Sequence, residues 1–294
     1  MPDKSASKKK WRLTRTLRYV SQAGFAIYIL ITSLRHGLVE SGVLAVDSAN
    51  PIPSIDALCP FGAIETLWRF VAEGLYVPQT HLSNFVLFLG LLIGALLAGA
   101  AFCGWICPLG ALQDLLSGVR KRLKLPPVTV PPHVDRWLTY GRYLVLAGII
   151  YGTATTVRLW FADFDPYRTF FGLGWIFEFE WTSQWTAYVA TIVVIIGSLF
   201  IHRFWCRYLC PLGGLLSIVQ RVSLFKIQRY PNMCIDCGRC AKVCPVKLPV
   251  DRSTRTGADC IGCLDCIESC PKPGALEVGF VVPRPSLHEK EQAV

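Results

Sequence analysis

Between Asn84 and Phe102 the chain reads NFVLFLGLLIGALLAGAAF, a block without a single charged residue. A run of this length outlasts a strand or a short core helix and approaches the roughly 20 residues of a helix that crosses a bilayer. Three other blocks follow the same rule. Tyr19 to Leu34 is the shortest; Trp137 to Val157 carries one arginine, Arg142, near its start; Trp185 to Phe204 is rich in valine and isoleucine and ends in His202 and Arg203. Trp137, Tyr140, Trp160, Trp175, Trp181, Trp185 and Trp205 gather near the block ends, as aromatic side chains do where a helix meets lipid headgroups. The pattern predicts an α-helical polytopic membrane protein with four transmembrane helices, lipid being its solvent.

Lysine and arginine orient those helices. Seven precede the first block, and Arg120, Lys121, Arg122, Lys124 and Arg136 lie between the second and third. The other two loops hold two each, while the tail after the fourth block is rich in both. Positive charge stays cytoplasmic, so the expectation is a multi-pass protein of a bacterial or archaeal cytoplasmic membrane with both termini inside. The basic start followed by a short apolar run has the look of a signal peptide. No small-x-small site follows closely, so an uncleaved anchor is expected. The net charge of +10 is thereby a topology signal. No nucleic-acid motif accompanies it, and nucleic acid is excluded as a partner.

The chain also contains itself twice. FCGWICPLGAL, Phe102 to Leu112, is answered by WCRYLCPLGGL, Trp205 to Leu215, and each C-x3-C-P-L-G motif follows directly on an apolar block. Upstream, DALCPFGAI, Asp56 to Ile64, has a looser echo in DFDPYRTFF, Asp163 to Phe171, which aligns Cys59 with Asp165. The motif offsets, 103 and 106 residues, agree. The four spans are thus expected to form two parallel two-helix repeats related by an axis along the membrane normal.

The sharpest chemical signal lies beyond the spans. CIDCGRCAKVCP supplies Cys234, Cys237, Cys240 and Cys244; CIGCLDCIESCP supplies Cys260, Cys263, Cys266 and Cys270. Each is a C-x2-C-x2-C-x3-C-P run, the bacterial ferredoxin pattern, in which the fourth cysteine serves the other cluster. Three thiolates two residues apart wrap three irons of a cubane, while the proline directs the fourth away. Two 4Fe–4S clusters follow, one on Cys234, Cys237, Cys240 and Cys270, the other on Cys260, Cys263, Cys266 and Cys244. Structural zinc prefers separated C-x2-C pairs, and disulfides are disfavoured on the reducing side of a membrane. The expected organisation is a membrane domain over 1–222, a cytoplasmic α+β ferredoxin-like domain over 223–280 and a polar tail over 281–294.

Cys103/Cys107 and Cys206/Cys210 form a second constellation. On a continuous helix each i, i+4 pair shares a face, and Pro108 and Pro211 follow where proline ends one helix or starts the next. Symmetric packing would bring four thiols together at the inner membrane boundary, able to hold a further iron–sulfur cluster, a copper ion or a reversible dithiol pair. Cys59, the thirteenth cysteine, lies on the outer side and is either a packed thiol or a subunit contact. Asp163, Asp165, Tyr167 and Arg168, also in an outer loop, mix polar and aromatic groups that suit either a quinone headgroup or an ordinary interfacial loop. No C-x2-C-H run, no G-x-G-x-x-G fingerprint and no stacked histidine pair point to haem or a dinucleotide.

Four spans, two C-x3-C-P motifs and a terminal double ferredoxin run together resemble the membrane quinol dehydrogenase component of periplasmic nitrate reductase systems (NapH) and the C-terminal part of the nitrous-oxide reductase regulator NosR. The likeness runs from the basic start to about Phe280, and its specific part is the pairing of the ferredoxin runs with Cys103/Cys107 and Cys206/Cys210. The outer loops have no room for the flavin-binding domain of NosR-type members, and the S/T-G-A-T flavin-attachment motif is missing. The resemblance implies electron transfer between the quinone pool and a partner redox protein or complex subunit. Two other functions are compatible with the same motifs: a membrane cupric reductase or metal-handling protein, and a redox-sensing regulatory or maturation factor.

Overall fold

A computed structural model describes residues 4–44, 82–155, 161, 164–173 and 181–280. Cys59, Asp163 and the tail from 281 lie outside the described residues. The first apolar block belongs to a helix longer than the block itself, α1 (Lys4–Glu40). Its segment Thr14–Val39 is the one part of the described residues both long and apolar enough to cross a membrane; Val86–Ala98 and Gln184–Phe200 are shorter apolar helices.

The second and fourth blocks each break near their ends. The helix α2 (Leu82–Ala98) stops at Gly99, whose φ of +66° is left-handed, and a short α3 (Ala101–Trp105) follows. Then α4 (Pro108–Arg122) begins with proline at its first position. The third block opens α5 (Pro132–Thr155) at a proline, five residues before the apolar run starts. After α6 (Pro166–Phe171), the fourth block forms α7 (Trp181–Phe200) and breaks at Arg203, at φ +60°. A short α8 (Phe204–Tyr208) and a proline-started α9 (Pro211–Val222) complete the second copy of the same succession.

The copies interlock. The helix after each proline packs on the long helix of the other copy, α4 on α7 and α9 on α2. A glutamine from each seals a break: Gln113 accepts from the Trp205 amide at 3.1 Å, and Gln220 accepts from the Ala100 amide at 2.7 Å. These amides belong to the first turns of short helices, where donors have no partner within the helix. Helix α5 packs along α8 and α9, and α1 lies against α3, α4 and α6.

The C-terminal part is small. The strands β1 (Phe225–Arg229) and β2 (Leu276–Phe280) pair antiparallel with Ile227 opposite Val278. Two single-turn helices, α10 (Arg239–Val243) and α11 (Asp265–Ser269), pack on each other between them. Each opens after a left-handed residue, Gly238 or Leu264, and ends at a cysteine before proline. Ile227, Val250, Ile267 and Leu276 make the core, together with Cys240, Cys260 and Cys266.

Candidate iron–sulfur site

The eight tail cysteines are drawn into two sets. Cys234, Cys237, Cys240 and Cys270 line one cavity, beside Arg229 and Asp236. Cys244, Cys260, Cys263 and Cys266 line another, walled by Ile227, Val246, Leu248 and Ile261. In both, the fourth thiol comes from the other run, because proline after Cys244 or Cys270 holds that residue extended, at ψ near +120°, and carries it across. Four thiols on the walls of each cavity, with apolar side chains around the second, are a donor set that fits a 4Fe–4S cubane. Burial raises the Cys260 thiol, while the Gly262 amide and the Thr256 hydroxyl lower it. Arg229 Nε donates to Cys234 Sγ at 3.4 Å, and the Leu248 amide donates to Cys244 Sγ at 3.4 Å.

The C-x3-C motifs depart from the simple helical reading. Cys103 lies inside α3, but Cys107 is the N-cap of α4, at φ −58° and ψ 117°. Cys210 caps α9 in the same way and accepts from the Gly213 amide at 3.3 Å. Each pair therefore straddles a break instead of sharing one helix face, since a residue before proline is driven out of the α region. All four thiols are sheltered enough to influence one another. Burial pushes Cys107 up to about 12, with the neighbouring Cys206 adding to the rise; Cys210 is raised well above the ordinary value by burial and then by Cys206 and Cys103. Among the described residues, no three His, Cys, Asp or Glu side chains are gathered to hold a single metal ion.

Side chains that spacing could not reveal brace this region. Arg203, 1% exposed, donates from Nε and Nη2 to the two Asp114 oxygens at 2.9 and 2.6 Å, and from Nη1 to the Cys103 carbonyl at 2.6 Å. His202 Nε2 also meets Asp114, at 2.9 Å. Gln22 of α1 donates to the Gly104 carbonyl at 2.7 Å, and Gln113 Nε2 donates to Cys206 Sγ at 3.1 Å. An arginine or histidine at the edge of an apolar block was the available signal, because such charges need a named partner.

The second tail cavity sits directly against the first C-x3-C motif. Trp105 Nε1 donates to the Gly262 carbonyl at 3.0 Å, and a Cβ on Gly104 would overlap the Ile261 carbonyl. Arg18 of α1 donates to the Cys263 carbonyl at 3.1 Å and pairs with Asp265 at 2.9 Å. Cys103, Val246 and Ile261 share one apolar cluster with Cys244 and Cys263. The two tail cavities are joined in turn through the core that holds Cys240, Cys260, Cys266 and Cys270.

The residues of the loop expected on the outer side are placed differently. Asp165 is buried and caps α6 by accepting from the Tyr167 amide at 2.9 Å. Tyr167 packs on Phe171 within α6, and Arg168 is exposed in its last turn.

Two cysteine-lined cavities docked on a doubled Cys-Pro helix arrangement define a ferredoxin-type iron–sulfur electron-transfer protein. A family model described as a 4Fe–4S binding domain matches this chain twice, over residues 80–126 and 183–230, and a second 4Fe–4S binding-domain model matches residues 227–248. YccM of Escherichia coli (strain K12), named as an electron transport protein, is 32% identical over 97% of this chain and 80% of its own length. The regulatory protein NosR of Pseudomonas aeruginosa is 32% identical over 56% of this chain and 23% of its own length. The ferredoxin-type protein NapH of Haemophilus influenzae is 28% identical over 60% of this chain and 61% of its own length. No solved structure matches. The chain belongs to the NapH/NosR-like family of iron–sulfur electron-transport proteins, with YccM among its relatives.

Proposed function

We propose that this protein passes electrons between the quinone pool and a partner redox protein through two 4Fe–4S clusters and a further centre at the C-x3-C motifs. The observation that carries the reading is the apolar cluster in which Cys103 meets Cys244 and Cys263, which brings the first Cys-Pro motif against the second cysteine-lined cavity. When bound, each cluster takes up and releases one electron. The chain's own residues hold the path together: Trp105, Gly104 and Arg18 fix the Cys260–Cys266 loop to α3 and α1, and the shared core fixes the two cavities to each other. Crossed ligation is part of the proposal, with Cys270 serving the Cys234 set and Cys244 the Cys260 set.

The proposal also places the protein in the membrane, as four spans in two parallel repeats with cytoplasmic termini. Support comes from one family model matching twice. Large apolar side chains also face outward from all four long helices, among them Ile31, Leu89, Leu144 and Ile192. Polar Ser33, Ser198 and Thr191 face inward. That inversion of the usual soluble pattern suits a lipid surround.

The test is reduction of the purified protein by a short-chain quinol, followed by cluster absorbance and paramagnetic resonance. Reduction of both clusters is expected, and its loss with the two tail clusters still assembled is expected when Cys103 and Cys206 are both changed to serine. Failure of quinols to reduce the clusters, even with the partner protein present, would reject the quinone link.

A further inference from the structure

Between α5, the two Cys-Pro segments and the loop before Cys260 lies a cleft of about 330 Å³. Cys103 and Cys206, one from each motif, line it together with Arg142, Tyr143, Arg207 and Asp259. Arg142 and Arg207 are each only 5% exposed, and each pairs with one carboxylate: Arg142 with Asp259, Arg207 with Asp135. Arg142 Nε and Arg207 Nη1 are buried without a hydrogen-bond acceptor. Tyr143, whose ring carries the Arg142 guanidinium 4.9 Å from its centroid, adds a hydroxyl 2.6 Å from Ser217 Oγ, and the ring of Tyr140 lines the cleft beside it. Exposed Arg136, Arg221 and Lys247 at its rim leave the cleft with more positive than negative side chains.

We propose that this cleft binds a quinone headgroup. The inference rests on the electron-transfer reading and assigns its substrate a place. The occupant must present acceptor oxygens to two guanidinium groups, lie flat against a ring and tolerate a positive surround. A quinone meets all three conditions, and the surround favours the negative charge that reduction brings to its oxygens. The volume falls within the range of small-molecule sites. Exposed Tyr140, Leu144 and Tyr151 along α5 offer an apolar track for the tail. The outer segment offers less, because the Asp165 carboxylate already accepts from the Tyr167 amide.

The experiment uses the intact, cluster-loaded protein in lipid nanodiscs, irradiated with a photoreactive short-chain quinone, with crosslinks mapped by mass spectrometry. Crosslinks are expected within 139–143 and 206–217, displaced by unlabelled quinone. Thr139→Trp fills the cleft without replacing a cysteine or a cation. Arg142→Lys keeps a cation for Asp259 but removes the planar guanidinium. Each should weaken labelling roughly tenfold at unchanged iron content. Crosslinks confined to 164–171, labelling undiminished in both variants, or displacement by anionic phospholipid but not by quinone would each overturn the cleft. If quinol still reduces the clusters in that case, the electron-transfer reading stands; if quinol neither binds nor reduces them, both fall.

Discussion

Arg203 shows at the scale of one residue what holds the two halves together. A non-glycine residue with a left-handed backbone is uncommon and persists where its surroundings over-determine it. Here the guanidinium is fixed on both oxygens of Asp114 and on the Cys103 carbonyl. Burial alone would raise the Asp114 carboxyl, but Arg203 and His202 hold it well below the usual carboxylate range. A depressed folded-state pKa contributes stability that is complete above the ordinary unfolded value of about 3.9 and is lost as pH falls toward the folded value. Asp114→Asn should therefore destabilise the protein by about 3–5 kcal/mol at neutral pH, as removing one partner of a buried pair does. It should also reduce the loss of stability on acidification below about pH 4. Thermal unfolding in detergent, followed by cluster bleaching between pH 3 and 7, checks both. The pair was not legible in the sequence, because 89 residues separate its members and no spacing rule links them. The tail cysteines stood out because each C-x2-C-x2-C-x3-C-P run is written at short range, and the structure gathers them along two cavities.

At the scale of elements, the sequence indicated where helices run but not where they break. Apolar periodicity carries no mark of the left-handed residues at Gly99 and Arg203, and i, i+4 spacing suggested a shared face for each cysteine pair. Proline decided otherwise, starting α4 and α9 afresh and turning Cys107 and Cys210 into caps. The same device ends α10 and α11 at Cys244 and Cys270. Cys270→Ser should accordingly damage the centre whose other ligands begin at Cys234. Paramagnetic resonance showing loss of the Cys260 centre alone would refute crossed ligation. Close packing of α3 on the Cys260 loop yields a second prediction. Gly104→Leu has no room beneath the Ile261 carbonyl, a backbone atom that must move away for it. Both clusters should assemble in this variant, while their reduction by quinol slows tenfold or more, on the rough equivalence of 1.4 kcal/mol to a decade. Stopped-flow absorbance measures the rate; an unchanged rate at full iron content would mean that the docked loop does not carry the electrons.

For the whole molecule, the decisive quantity is the thickness of the apolar layer against the position of the cysteine sets. If the termini are cytoplasmic, as proposed, both tail cavities and both C-x3-C motifs would lie at the inner boundary, because α3 and α8 follow the long helices α2 and α7. Along a straight helix the apolar layer, about 30 Å thick, takes about 20 residues at 1.5 Å each. Among the described residues, no cysteine lies within α1, α2, α5, α6 or α7, which leaves the cysteine set without a relay along the long helices. An electron bound for the outer face must then travel on a diffusing carrier, and quinone is the carrier the proposed function supplies. The expected behaviour is asymmetric. In vesicles with a known orientation and no quinone, ferricyanide, which does not cross the bilayer, should oxidise the reduced clusters within seconds from the cytoplasmic face and hardly at all from the outer face. Adding a lipid-soluble quinone should open the outer route and leave the inner one unchanged. Rapid oxidation from the outer face without quinone would place a conducting centre inside the membrane domain, and the inner-boundary arrangement would have to be given up.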